Sequence, residues 1–94
     1  MTSLENLLGH LKRAAEIAHQ CGELNMFCPF NSGAEFASEL RSLRECVANG
    51  DRSALRKLVS IFAPTGPWDD GIGEPMELAN QVLELLVRLD WQNP

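Results

Sequence analysis

Apolar residues in this chain recur every three or four positions, and no segment alternates apolar and polar residues with a period of two. Steps of three and four residues place side chains on one face of an α-helix, whereas a half-buried strand needs the period of two. β-branched residues, which strands favour, are few. The pattern predicts an all-α fold of about four helices in a single compact domain, residues 1–94.

The first helix is predicted from about Ser3 to Cys21, with leucines and alanines on one face and Gly22 as a C-terminal stop. Thr2 and Glu5 have the spacing of a capping box at its start. The loop from Gly22 to Asn31 is rich in apolar residues, so we expect it to fold back onto the core rather than extend into solvent.

Two more helices are predicted in the middle of the chain. Ser32 and Glu35 form a second capping box, and Asn49-Gly50 ends the helix that follows it. Asp51 then caps a third helix, which stops before Pro64 because proline disfavours helical geometry in the preceding residue.

The fourth helix is predicted to open at Glu74-Pro75, and apolar side chains cover well over half of its circumference. A helix so broadly apolar lies at the centre of its own bundle or is shared with another chain. In a chain of this length we expect the other helices to cover only part of it. The sequence therefore predicts a homodimer through the last helix, with a monomeric core as the alternative.

The net charge of −5 lies entirely in the last third of the chain. Residues 1–63 hold equal numbers of acidic and basic side chains, whereas residues 64–94 hold six carboxylates against one arginine. An acidic surface repels phosphate backbones, so nucleic acid is excluded as a partner and a basic protein or a cation is favoured. The structural alternative is that this acidity only keeps the protein soluble.

Three cysteines and two histidines are present, without the paired spacing of a zinc site. His19, Cys21 and Cys28 are the candidate ligands, but Cys21 falls on the apolar stripe of its helix, where a buried structural cysteine is expected. An odd cysteine count and the absence of a signal-peptide pattern or a membrane span favour the cytoplasm. No cofactor and no metal site is predicted.

The segment from Pro64 to Pro75 concentrates the unusual residues of the chain. Trp68 is the residue type most enriched at interaction hot spots, and the carboxylates around it suit basic groups of a partner. The predicted binding residues are Trp68, Asp69, Asp70, Glu74 and Glu77. No catalytic motif is present, so we favour a protein-binding protein over an enzyme.

Two alternatives remain for this segment. In one, Asp69 and Asp70 hold a metal ion or act as a general base in a small helical enzyme or ligand-binding protein. In the other, the segment is purely structural, with Trp68 closing the core and the aspartates capping a turn.

One basic cluster accompanies the acidic segment. Its side chains are Arg41, Arg44, Arg52, Arg56 and Lys57. We expect them to pair with Glu39, Glu45 and Asp51 on a solvated face, with anion binding as the alternative.

Part of this chain resembles a signature of small uncharacterised bacterial helical proteins. The matching positions are residues 62–65, 68–70 and 77–80, together with Gly73. These proteins belong to accessory or mobile gene sets, some similar to immunity partners of toxins and others to integron-cassette products. The resemblance covers residues 58–90. An immunity role would imply an acidic surface that blocks a basic toxin by charge complementarity.

Overall fold

The computed structural model describes residues 3–24, 30–64, 66–72 and 76–92, without the side chains of residues 70 and 90–92. Its α-helices are α1 (Ser3–Gln20), α2 (Gly33–Ala48), α3 (Arg52–Phe62) and α4 (Met76–Gln92). The described residues form no strand beyond one isolated antiparallel bridge between Glu23 and Ser32. The all-α prediction is confirmed.

The predicted caps of α2 and α3 are present. The hydroxyl of Ser32 accepts a hydrogen bond from the backbone N–H of Glu35 at 3.2 Å. The carboxylate of Asp51 accepts from the backbone N–H of Ser53 at 2.9 Å and from its hydroxyl at 2.7 Å. Gly50, at φ +88°, makes the reversal between the two helices in a conformation that other residues rarely adopt. The predicted cap at Thr2 and the opening at Glu74-Pro75 lie outside the described residues.

The helices pack in a closed ring, in which α1 contacts α2 and α4, and α3 contacts the same two neighbours. The most extensive contact is the one between α1 and α2. A Cβ added to Gly33 would collide with the backbone carbonyl of Ala18, so only glycine permits this contact. The most completely buried large side chains inside the ring are Leu7, Leu11, Phe36, Leu40, Leu58, Trp68, Val82 and Leu86.

The apolar loop between α1 and α2 folds back onto the core at the positions that are described. Leu24 and Phe30 are half-buried against it. The ring centroid of Phe30 lies 4.5 Å from that of Phe36 in α2. Residues 25–29 lie outside the described part of the chain.

Most of the apolar surface of α4 is covered by its own chain. The buried positions are Leu78, Ala79, Val82, Leu85, Leu86 and Leu89. Leu83 is half-buried, and 61% of the surface of both Met76 and Val87 is exposed. Within residues 76–89, the apolar surface of α4 that remains for a second chain is therefore a narrow strip. None of the helices in the described part of the chain is long and apolar enough to cross a membrane.

Candidate functional site

Trp68 lies in the core, with 1% of its surface exposed. It begins a single π-helical turn, Trp68–Ile72, between α3 and α4. Its ring centroid is 5.1 Å from that of Phe62 in α3 and 6.1 Å from that of Phe36 in α2. A side chain enclosed in this way does not protrude toward a partner. Trp68 therefore closes the core, as the structural alternative for this segment has it, and its role as an interaction anchor stays a prediction.

The indole N–H of Trp68 is buried and has no hydrogen-bond partner among the described residues. A buried donor without a partner costs about 1–3 kcal/mol. Burying the large indole ring offsets this cost, because a fully buried aromatic side chain contributes about as much or more. The position therefore requires the apolar bulk of the ring rather than its polar atom.

The two predicted carboxylates whose side chains the structure describes lie at different places around α4. Asp69 and Glu77 are both exposed. Asp69 faces a depression on the α3 side of α4, whereas Glu77 lines a shallow groove on the α1 side with Arg13. The side chain of Asp70 and all of Glu74 lie outside the described residues.

The depression beside Asp69, which we call the Trp68 notch, has a volume of about 110 Å³. It is lined by Phe62, Ala63, Pro64, Trp68, Asp69, Met76, Ala79 and Asn80. Among these described residues Asp69 carries the only charge. Small-molecule and cofactor pockets have volumes of roughly 300–1,000 Å³. The notch therefore suits a single side chain better than a cofactor.

The notch could not be found from the sequence, because its walls come from three separate segments. The end of α3, the π turn and the start of α4 each supply a part. In the sequence, Met76 is one of many apolar residues of the last helix. In the structure it lies outside the buried face of that helix, at the edge of the notch.

A second depression, of about 260 Å³, lies where the ends of the helices meet. Leu4, Val47, Leu55 and Leu89 form its apolar wall, and Asp51 and Arg52 are among its polar residues. It contains none of the predicted site residues.

The predicted basic cluster is divided between helices. Arg41 and Arg44 line a groove of about 410 Å³ between α1 and α2, together with Lys12. Arg44 donates from Nε to the backbone carbonyl of Leu8 at 2.9 Å. Because the carboxylate of Asp51 is occupied by Ser53, capping α3 is its role in this structure.

No group of three or more histidine, cysteine, aspartate or glutamate side chains suited to a metal occurs among the described residues. Cys21 is exposed, so the expectation that it is buried is wrong: α1 ends at Gln20, one residue earlier. Its thiol donates to the carbonyl of Ile17 at 3.3 Å. Cys46 is half-buried, and Cys28 lies outside the described residues.

Comparisons of the chain with protein families, with curated proteins and with solved structures find no match.

Proposed function

We propose that this protein acts in the cytoplasm by binding another protein and that it catalyses no reaction. The observation that carries the proposal is the surface around the Trp68 notch, where the exposed residues Met76 and Asp69 line the same depression. Exposed apolar surface with a charged rim is typical of protein interaction sites. The enzyme alternative needs carboxylates enclosed in a cleft, whereas Asp69 is exposed.

The charge distribution supports a basic partner. The whole excess of negative charge lies in residues 64–94, which include the notch and α4. Asp69, Asp70, Glu74 and Glu77 are the proposed charged contacts. A concentrated acidic surface accelerates encounter with a basic partner and selects against acidic ones.

The resemblance to immunity partners of toxins supports a more specific role. A toxin that acts on nucleic acid carries a basic surface, and an acidic protein that covers this surface inhibits it. We infer an immunity-like inhibitor encoded in an accessory or mobile gene set.

A homodimer through α4 is the second proposed use of this surface. It would rest on Met76, Leu83 and Val87, the strip that the rest of the chain leaves accessible. These three, the accessible apolar side chains in the described part of α4, cover much less than the roughly 800 Å² per partner of a standard interface. A heterologous basic partner is therefore favoured over a second copy.

The test is affinity capture from the source cell, followed by reconstitution with the purified candidate. Wild type is compared with a double charge reversal, Asp69→Lys with Glu77→Lys, and with a matched double reversal at exposed positions of α1 and α2, Glu16→Lys with Glu45→Lys. We expect wild type and the matched control to bind the same partner and the Asp69/Glu77 variant to lose it. Equal binding by all three proteins would refute the proposed surface.

A further inference from the structure

We propose that the Trp68 notch receives one aliphatic side chain from a basic segment of the partner, so that lysine or arginine residues flank the inserted side chain. This inference rests on the proposed function and specifies the chemistry that the site recognises. The apolar walls of the notch supply the apolar selectivity, and Asp69 at the notch supplies the charge selectivity.

The shape of the notch sets the size of the occupant. Its volume of about 110 Å³ is smaller than the engineered apolar cavity of about 150 Å³ that binds benzene. Ala63 and Ala79 leave space that larger residues would fill, and Phe62, Pro64 and Met76 supply apolar walls. An aliphatic side chain such as leucine suits these dimensions and surroundings.

The walls of the notch are already in place before any partner arrives. The ring of Trp68 is held between contacts with Phe62 and Phe36, and Phe62 is itself 2% exposed. A site formed in advance avoids the entropic cost of ordering it on binding. Inserting a side chain therefore requires no rearrangement of the core.

The charge at the notch selects the residues on either side of the inserted side chain. Asp69 is exposed and is the one charged residue among the described residues that line the notch. It belongs to residues 64–94, which carry the whole excess of carboxylates in the sequence. A partner segment with basic residues beside its aliphatic residue matches this field.

The first experiment titrates three short synthetic peptides into the isotope-labelled protein and follows two NMR signals. The peptides are a lysine-flanked leucine, the same peptide with alanine in place of leucine, and the same peptide with glutamates in place of the lysines. The signals are the indole N–H of Trp68, distinguished from that of Trp91 by a Trp91→Phe variant, and the methyl group of Met76. We expect the leucine peptide to shift both signals, the alanine peptide to bind about tenfold more weakly, and the glutamate peptide to cause no shift.

The second experiment fills the notch without changing any charge. Ala63→Leu adds an aliphatic side chain at its wall, and Ala48→Leu adds the same side chain at an exposed position at the end of α2. We expect Ala63→Leu to weaken binding of the leucine peptide about tenfold and to leave binding of the alanine peptide unchanged, whereas Ala48→Leu should change neither. Thermal unfolding of both variants shows that each is folded.

Three outcomes would overturn the notch proposal. Equal binding of the leucine and alanine peptides would show that charge alone is recognised, and the proposed acidic docking surface would survive. Unchanged signals with every peptide at millimolar concentration would remove the notch as a site and leave the capture experiment to decide the proposed function. If the two NMR signals shift with protein concentration in the absence of any peptide, the notch binds a second copy of the chain instead.

Discussion

The ring of Trp68 meets the ring of Phe36 edge-on, with the two planes at 80° and the centroids 6.1 Å apart. This contact joins the π turn, which follows α3, to the core side chain of Phe36 in α2. An edge-to-face aromatic pair contributes about 0.5–1.5 kcal/mol beyond the area that it buries. The segment that carries the acidic surface is thus fixed to the core through its tryptophan.

Trp68→Ala is expected to lower the free energy of unfolding by about 3–5 kcal/mol, because it leaves a large cavity between α2 and α3. Urea unfolding monitored by circular dichroism measures the loss. The control is Val87→Ala, which removes an exposed side chain and should change stability by no more than about 0.5 kcal/mol. Similar losses for both variants would contradict the buried position of Trp68. Loss of partner binding by Trp68→Ala would report unfolding, which is why the binding tests use other residues.

Gly33→Ala is expected to destabilise the protein by about 2 kcal/mol or more, because the new Cβ would collide with the backbone carbonyl of Ala18 and force α1 and α2 apart. Gly9→Ala is the matched substitution in α1, where an added Cβ meets no atom within 4 Å. It should stabilise the protein by about 0.5–1 kcal/mol, since alanine favours the helix. Thermal unfolding of the pair gives the two signs directly. A neutral Gly33→Ala would show that the helices pack less closely than the structure has them.

The Asp51 cap is expected to make stability depend on pH in the acidic range. Hydrogen bonds from the side chain and the backbone of Ser53 lower the pKa of Asp51 below its ordinary value of 3.8. Because the folded pKa is the lower one, this contribution is present above pH 3.8 and is lost as the pH falls through the folded pKa. Melting temperatures of wild type and Asp51→Ala should therefore differ near neutral pH and converge in acid. Ser53→Ala keeps the carboxylate but removes one donor, so it should weaken the same pH dependence. A difference from wild type that stays constant with pH would contradict this account of the cap.

Sedimentation at micromolar concentration is expected to show a monomer, because α1 and α3 cover most of the apolar face of α4. Among the side chains of α4 that the structure describes, Met76, Leu83 and Val87 are too few to form a stable interface by themselves. Val87→Lys, which adds a charge in the middle of this strip, should leave the sedimentation coefficient unchanged. A dimer in wild type that Val87→Lys dissociates would establish the homodimer through α4 instead.

Local chemistry made the helices predictable. Ser32 and Asp51 each present an oxygen to a backbone N–H within three residues, and this interaction is visible in the sequence because both partners are near neighbours. Gly50 ended α2 for the same reason, since a positive φ is a property of the residue itself. The sequence predicted the end of α1 one residue too late, because the apolar spacing continues past the last helical residue. Cys21 lies just beyond the helix and is exposed.

The sequence by itself determined the helical class, the two caps and the uneven distribution of charge, all of which depend on composition or on neighbours along the chain. Only the tertiary structure decided that Trp68 faces inward, because its burial depends on Phe36, which lies 32 positions away in the sequence. Tertiary packing also placed Asp69 and Glu77 on different sides of α4 and built a notch from three segments. An interaction surface depends on which side chains remain uncovered after packing, and that is a property of the assembled fold rather than of any local pattern.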